Sequence, residues 1–182
     1  MIVKHFVEIF LSDKVCGSLE YIVDGNKTRG HSLVESFMCE TEPVRAAAEF
    51  RAIRERFGTG RSTTKAQHII QSFAPNEVTP EKAMEIAQEL CHRLLQEQYQ
   101  YVIAIHTDHD HIHAHIVVNS TNFVTGRTFE TEHNQGKKKD RAWAEVRRIS
   151  DELSQAANEI EQYLRQEQSR ERQKKKNRSV LE

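Results

Sequence analysis

The sequence predicts an α/β fold, in which an antiparallel central sheet of about five strands is flanked by helices and followed by a long C-terminal helix. Two apolar, β-branched segments, 99–106 and 112–119, lie close together in the chain, which is typical of buried neighbouring strands. The apolar residues of 80–98 recur at helical spacing after a Thr-Pro start. A further helical pattern runs from Lys139 to about Lys176. These observations together predict helices packed on a sheet.

The remaining elements follow from cap and turn signals. The further strands that we expect are 2–11, 33–39, 66–73 and a short strand at 127–130 after a turn at Gly126. The further helices that we expect are 14–22, capped by Ser12 and Asp13, and 43–57, opened by Pro43 and closed by Gly58. We expect residues 1–136 to form the core domain. Residues 137–182 then form a helical extension with a basic tail, truncated from a longer protein.

The composition excludes several classes of protein. The chain has 182 residues and a net charge of -1, from 26 Lys and Arg against 27 Asp and Glu, which argues against coating nucleic acid by bulk charge. Local basic patches or a metal must therefore meet any anionic partner. No apolar run approaches the roughly 18 residues that a membrane helix needs, and the first residues lack a secretory signal. Three cysteines without a C-x-x-C pair fit a reducing cytoplasm.

Histidine is the unusual residue of this chain. There are ten histidines, and five of them lie within ten residues, at positions 106, 109, 111, 113 and 115. Since side chains i and i+2 of a strand share a face, His113 and His115 project together. A tight connection between the two strands brings His106 opposite them. Three imidazoles from neighbouring strands form a metal-ligand set with open positions, and His111 competes with His106 for the third place.

Two polar residues accompany this cluster. Asp108 can accept an imidazole N–H and fix the tautomer of a ligand, accept a proton during chemistry, or cap the turn. Asn119 is a candidate, with His111, to support the ligands from behind, although a turn role is common at a strand end. From ligand chemistry alone, three imidazoles favour Zn²⁺, Mn²⁺ or a later transition metal over Mg²⁺.

The pattern H-x-D-x4-H-x-H-x3-N, from His106 to Asn119, resembles the third motif of the relaxases. These are metal-dependent, single-strand DNA-nicking enzymes of the HUH endonuclease superfamily, here of the MOBP mobilisation class found on plasmids and conjugative transposons. The resemblance covers roughly residues 1–155, and Ala114 departs from the larger residue that is common between the two histidines. Four other regions carry it: the tyrosine motif at 19–28, the second motif at 68–73 and 77–81, the hairpin at 123–129 and the helix at 148–153.

The resemblance implies transesterification, with Tyr21 as the nucleophile. Attack of its hydroxyl on a DNA phosphodiester gives a 5′-phosphotyrosine and a free 3′-OH, and Asp108 is the companion catalytic residue. A cation held by His106, His113 and His115 neutralises the developing charge. The family expectation is Mg²⁺ or Mn²⁺, with Zn²⁺ or another transition metal as the alternative. Without the resemblance, Tyr21 is more readily interpreted as a core aromatic on an amphipathic helix.

The resemblance also implies partners. These are single-stranded or hairpin DNA at a transfer origin, an accessory DNA-binding protein and a type IV secretion coupling protein, with the enzyme in the cytoplasm. Basic and polar side chains in loops are candidate phosphate contacts, although each alone is readily interpreted as solvated. The candidates are Lys27, Thr28, Arg29, Arg61, Lys65, Ser72, Lys137, Lys138 and Lys139.

Three other functions stay open at this point. A replication initiator or transposase of the same superfamily often places its tyrosine after the histidines, whereas Tyr21 precedes them. A non-haem iron oxygenase also uses H-x-D and a distant histidine, but its all-β barrel disagrees with the helices predicted at 43–57, 80–98 and 139–165. A zinc-stabilised DNA-binding module is the third alternative.

Overall fold

Helices and strands alternate along much of the chain, in a computed structural model that describes residues 6–12, 14–58, 65–128 and 136–178. The strands are β1 (Phe6–Ser12), β2 (Val34–Phe37), β3 (Ala66–Ser72), β4 (Tyr101–His106) and β5 (His113–Asn119). The helices are α1 (Val15–Ile22), α2 (Pro43–Arg56), α3 (Pro80–Leu95) and α4 (Gly136–Arg178).

The five strands form one sheet in the order β1-β3-β5-β4-β2, and every neighbouring pair is antiparallel. The predicted α/β class, with an antiparallel sheet of about five strands and a long C-terminal helix, is confirmed. The two most apolar strands, β4 and β5, lie side by side inside the sheet, and β5 occupies its middle. The histidine-rich segment is therefore fixed by hydrogen-bonded strands on both sides.

Helices cover both faces of the sheet. Because successive residues of a strand point to opposite faces, the sheet contributes to two separate cores. One core lies beneath α1 and α2, and its fully buried members include Leu19, Ile22, Phe50, Val102 and Val117. The other lies beneath α3 and α4, and its buried members include Leu90, Ile103, Ala114, Ile116 and Ile149. His113 and His115 alternate with Ala114 and Ile116, so their imidazoles lie on the α1 side.

The helix starts confirm the predicted opening of α2 at Pro43 and the predicted Thr79 cap of α3. The Glu42 carboxylate accepts hydrogen bonds from backbone N–H groups in the first turn of α2, and Thr79 Oγ1 accepts one from Lys82 in α3. The start of α1 differs, because Lys14 occupies the cap position and makes no side-chain cap bond. The expected cap at Ser12 is thus wrong, and Asp13 lies outside the described residues.

A turn around Gly126 follows β5. The expected strand at 127–130 is reduced, within the part of the chain that the structure describes, to one isolated bridge between Thr121 and Thr128. Gly126 has a φ of +71°, and a Cβ placed on it would lie 2.5 Å from an atom of the Phe57 ring. Both the left-handed backbone and the close approach of Phe57 therefore require glycine here.

The first half of α4 is joined to the sheet. Ile149 is buried in the α3–α4 core, and Gln71 Nε2 on β3 donates a 2.6 Å hydrogen bond to Ser150 Oγ. Farther along, Ile160 and Tyr163 are exposed. The expected domain division between residues 136 and 137 stays a prediction. Among the described helices, none combines the length and the apolar character that crossing a bilayer requires.

Candidate active site

Three of the predicted ligands lie on one face at the centre of the sheet. The register pairs His106 of β4 directly with His113 of β5, and Ala104 with His115. The ring centroid of His115 lies 4.1 Å from that of His106 and 6.1 Å from that of His113. His106 and His115 are also buried. The structure therefore places the imidazoles of His106, His113 and His115 on one face of two neighbouring strands.

Tyr21 lies beside these imidazoles at the last turn of α1. Leu19 and Ile22 are fully buried and hold the helix against the sheet, while Tyr21 remains 52% exposed. Its ring makes T-shaped contacts with two histidines, with centroid distances of 5.7 Å to His106 and 5.8 Å to His115. The interpretation of Tyr21 as a core aromatic is therefore wrong. Its phenol is accessible and lies next to the histidine cluster.

The backbone of α1 also fixes His106. The Nε2 atom of His106 lies 2.8 Å from the carbonyl oxygen of Ile22, which can only accept a hydrogen bond. His106 therefore carries its proton on Nε2 and keeps the lone pair on Nδ1. This bond joins the end of β4 to the turn of helix that contains Tyr21. It therefore fixes the position of the phenol relative to the His106 imidazole.

Lys27 places a positive charge at the tyrosine. Its ammonium nitrogen lies 3.7 Å from the centroid of the Tyr21 ring, within the range of a cation–π contact. The turn after α1 positions it, because the backbone N–H of Lys27 donates to the carbonyl of Asp24 at 2.9 Å. The N–H of Thr107 in turn donates to the carbonyl of Lys27, also at 2.9 Å. The loop after β4 thus holds the lysine over the ring.

His68 of β3 completes the cluster, and sequence reasoning missed it. It is buried, and its Nε2 lies 3.0 Å from Nδ1 of His115. His68 and Ser72 share the histidine face, with Ser72 paired in register with His113. The two-residue period within 66–73 was a usable signal for that shared face. What the sequence did not reveal is that β3 pairs with β5.

Burial controls the protonation of the cluster. It lowers the pKa of His115 to about 2 and the pKa of His68 to about 4, and repulsion from neighbouring histidines lowers both further. Burial likewise lowers the pKa of His106, against the effect of its bond to Ile22. The pKa of His113 is lowered by burial and then by the nearby imidazoles. The cluster is therefore neutral at pH 7, as nitrogen ligands must be.

The loop between β4 and β5 surrounds His113. The His111 ring lies 4.3 Å and the His109 ring 6.4 Å from the His113 ring, centroid to centroid. An oxygen of Asp108 lies 3.6 Å from Nε2 of His109. The negative charge of Asp108 also raises the pKa of His106 and of His113, though less than burial lowers each. Asp108 thus acts on the predicted ligands through its charge.

Asn119 lies apart from the histidines. Its buried amide nitrogen donates to the carbonyl of Phe50 at 3.2 Å and to Oε1 of Gln100 at 2.8 Å. It stands four residues beyond His115 on a strand, roughly 13 Å away at the usual rise. Asn119 therefore joins α2 to the sheet. The expectation that it supports the histidine ligands is not met, because it lies too far from them.

Comparison with protein families supports the importance of the segment that holds Tyr21 and the histidines. A family model described as "Relaxase: MobA/VirD2-like, nuclease domain" matches residues 21–158. The chain belongs to this relaxase family. The match begins at the tyrosine that contacts the histidines and includes all of β2 to β5.

Known relaxases are similar over part of their length. "Protein rlx" of Staphylococcus aureus is 35% identical over 113 residues, which are 62% of this chain and 32% of that protein. "Group II intron-interrupted relaxase LtrB" of Lactococcus lactis is 44% identical over 64 residues, 35% of this chain and 11% of its own. "Protein TraI" of Escherichia coli is 28% identical over 123 residues, which are 65% of this chain and 16% of that protein. The chain thus spans about a third or less of these relatives.

A solved structure shares the fold of this relaxase domain. It is described as "Molecular Basis of Vancomycin Resistance Transfer in Staphylococcus aureus", and the TM-score is 0.56 at 13% sequence identity. The superposition covers 85% of this chain and 94% of that chain. At this identity the likeness concerns the arrangement of helices and strands.

The relaxase chain offers a suitable donor set for a metal. Three neutral imidazoles suit Mn²⁺, Zn²⁺ and other transition ions, and His106 keeps a nitrogen lone pair outside its bond to Ile22. Among the residues that the structure describes, however, no three His, Cys, Asp or Glu side chains stand converged around one point. The three histidines thus suit a metal by their donor atoms and by the face that they share, although their side chains do not surround one point in this structure.

The candidate DNA contacts divide into exposed and buried groups. Thr28 is fully buried, and its hydroxyl donates to the carbonyl of Asp24 at 3.0 Å, so it stabilises the loop. Its expected role as a DNA contact is therefore wrong. Arg29 is exposed and lies 3.2 Å from the carboxylate of Glu81. Lys65 is also exposed.

The other candidate contacts can be located only in part. Ser72 is half-buried at the end of β3, next to His113 in the sheet. Arg61 lies outside the described residues. The backbone of Lys137, Lys138 and Lys139 belongs to α4, but their side chains lie outside the described part of the structure.

Proposed function

We propose that this relaxase domain nicks one strand of DNA at a transfer origin and retains the cut end on Tyr21. The observation that carries the proposal is the half-exposed Tyr21 ring, which lies edge-on to two buried imidazoles, those of His106 and His115. Membership of a relaxase nuclease family supports the same reaction. Because the relatives are much longer, the role of the domain within a whole protein is part of the proposal.

In the proposed reaction, the Tyr21 hydroxyl oxygen attacks the phosphorus of the scissile phosphodiester. A bond from phosphorus to the tyrosine oxygen forms while the bond to the 3′ oxygen of DNA breaks. The phenol loses its proton, for which Asp108 is the proposed acceptor, and the 3′ oxygen gains one. One phosphodiester replaces another, so the step is reversible and can rejoin a strand after transfer.

Positive charge is needed where the phosphate gains negative charge. We assign this role to Lys27, whose ammonium lies over the Tyr21 ring, and to a divalent cation held by His106, His113 and His115. Mg²⁺ or Mn²⁺ is the family expectation, and imidazole ligands also suit Zn²⁺. When bound, the ion would polarise phosphate oxygens as a Lewis acid.

The proposed substrate is single-stranded DNA, with or without an adjacent hairpin. Lys27, Arg29 and Lys65 are exposed or open to solvent near the site or at the start of β3, where they can contact phosphates. An accessory DNA-binding protein and a type IV secretion coupling protein are the proposed partners. The cytoplasm, where such DNA is replicated, is the proposed location.

The experiment that tests this function is covalent capture of DNA. The protein is incubated with Mn²⁺ or Mg²⁺ and a panel of single-stranded oligonucleotides that cover candidate transfer origins, each labelled at its 3′ end. We expect a labelled protein band that survives denaturing electrophoresis, because the 5′ phosphate of the downstream fragment stays on the tyrosine. A 5′-labelled copy should yield a shorter, protein-free fragment.

Matched variants identify the nucleophile. Tyr21→Phe should abolish the labelled band, while Tyr163→Phe should leave it unchanged, because Tyr163 is similarly exposed but lies on α4. A band that persists in Tyr21→Phe would show that another residue attacks.

A further inference from the structure

On the sheet face that α1 covers, the imidazole of His68 is buried, and the proposed reaction does not use it. His68 is on β3, on the far side of β5 from His106, and the register pairs it with Val117 while His115 pairs with Ile70. His68 and His115 are therefore diagonal neighbours on one face of two hydrogen-bonded strands. Both are buried, with exposed fractions of 9% and 5%.

The contact between the two rings joins specific atoms. Nε2 of His68 lies 3.0 Å from Nδ1 of His115, a hydrogen-bond distance. One of the two nitrogens must carry the proton. If His68 donates, a neutral His115 carries its own proton on Nε2 and has no free lone pair. If His115 donates from Nδ1, its Nε2 keeps a lone pair that can bind a cation.

We propose that His68 is a positioning residue, whose Nε2 accepts the Nδ1–H of His115 and holds His115 in the tautomer that can ligate a metal. The inference rests on the proposed function, since it concerns the same site. His106 already has such a partner in the carbonyl of Ile22. Metal-binding histidines commonly donate their second ring N–H to a fixed acceptor, which sets ring orientation and ligand strength.

The strand positions explain why His68 suits this role. Both rings project from strands inside the sheet, so their separation is fixed by backbone pairing. Each imidazole is also packed against another ring, with centroid distances of 5.2 Å for His68–His115 and 4.1 Å for His106–His115. Because the pair is buried, little water is available to replace His68 as the acceptor.

The first test uses the metal-free protein. Long-range proton–nitrogen NMR spectra of imidazoles labelled with ¹⁵N distinguish the two neutral tautomers of His115. We expect the Nδ1–H form in the native chain and in His68→Gln, whose amide oxygen can accept in place of Nε2. In His68→Phe, which keeps a ring but has no acceptor, we expect the Nε2–H form to appear. An Nε2–H tautomer in the native chain would overturn the proposal.

The second test measures Mn²⁺ binding by calorimetry, without DNA. His68→Phe should weaken binding by about 10–100-fold, and His68→Gln should restore most of it. His92→Phe is the matched control, because His92 lies exposed on α3, and it should bind as the native chain does. Native-like binding by His68→Phe, or equal losses in His68→Phe and His68→Gln, would overturn the positioning role.

A third variant separates this inference from the proposed metal site. His115→Ala should lose Mn²⁺ binding more completely than any His68 variant. If His115→Ala binds as tightly as the native chain, the histidine site itself is wrong, and the role of His68 falls with it. If His115→Ala is defective while His68→Phe is normal, the metal site stands and only the positioning role is overturned.

Discussion

The ammonium group of Lys27 lies 3.7 Å from the centre of the Tyr21 ring, although the two residues belong to different structural segments. Tyr21 lies in the last turn of α1, while Lys27 follows a turn that is hydrogen-bonded to Thr107 beyond β4. The phenol, the ammonium and the buried imidazoles thus form one continuous surface. Four predictions follow from this surface and from the packing that supports it.

The first prediction concerns the charge of Lys27. Lys27→Met should lower the rate of adduct formation by about 10–100-fold, since a charge-assisted contact to a phosphate contributes about 1.5–3 kcal/mol. Lys27→Arg should keep most of the rate. The slope of DNA affinity against salt should also fall by about one in the Met variant. The rate and the salt dependence are measured with the labelled oligonucleotide.

Arg93→Met is the matched control for this prediction. Arg93 is an exposed cation of α3, on the opposite side of the sheet from Tyr21, and its guanidinium lies 2.6 Å from the carboxylate of Glu89. We expect at most a small change in its rate. An equal loss in the Lys27 and Arg93 variants would mean that general positive charge, rather than the position of Lys27, matters.

The second prediction concerns pH and the metal-free protein. His68 and His115 have folded-state pKa values of about 4 and about 2, below the ordinary value of 6.5. The unfolded chain therefore binds more protons than the folded chain below pH 6.5, and the free energy of unfolding falls as the pH falls. The loss continues down to about pH 4 for His68 and about pH 2 for His115.

Urea unfolding at pH 8, 7, 6 and 5 measures this loss. Between pH 7 and pH 5 we expect each of the two histidines to remove on the order of 1–2 kcal/mol. His68→Gln should show a shallower dependence than the native chain, because one of the two groups is gone. Equal slopes for the two proteins would contradict a neutral, buried His68.

The third prediction separates stability from catalysis at Asn119. Asn119→Ala leaves the buried carbonyl of Phe50 and Oε1 of Gln100 without their donor, which costs about 1–3 kcal/mol. The midpoint of urea unfolding should fall accordingly. Because Asn119 lies far from His115 along β5, the adduct rate measured at low temperature should stay near that of the native chain. A large selective loss of rate would restore a role for Asn119 in the site.

The fourth prediction concerns two glycines with different surroundings. Gly126→Ala places a methyl group against the Phe57 ring at a positive φ, so it should destabilise the protein by about 1–3 kcal/mol. Gly17→Ala is the matched control, because it lies inside α1 with nothing within 4 Å of its Cβ position. That change should stabilise the protein by about 0.5–1 kcal/mol. Thermal unfolding compares the two.

Local signals predicted most of the fold. The Pro43 start of α2 and the Thr79 cap of α3 depend on neighbouring backbone groups, so their effect is visible within a few residues of sequence. The spacing of His113 and His115 likewise fixes their shared face, because the strand period is two. The cap predicted at Ser12 is wrong because cap propensity does not show where the helix begins, and α1 begins after Lys14.

The rest of the site depends on pairings between distant segments. His68 reaches His115 only because β3 pairs with β5, and a single sequence does not show that register. The same holds for Asn119, whose partners Phe50 and Gln100 lie in other elements. The burial of Thr28 also depends on the folded turn, in which its hydroxyl donates a hydrogen bond to the carbonyl of Asp24.

Ala114 lies between His113 and His115 in the chain, yet it is fully buried in the core beneath α3 and α4. Successive side chains of a strand lie on opposite faces of the same backbone. A shift of the β5 backbone caused by packing against α3 and α4 would therefore also move the imidazoles on the other face. A bulkier residue here would have to be accommodated by shifts of the side chains or the backbone around it. Substitutions on the α3–α4 side of the sheet therefore offer a way to perturb the proposed ion site without changing any of its proposed ligands.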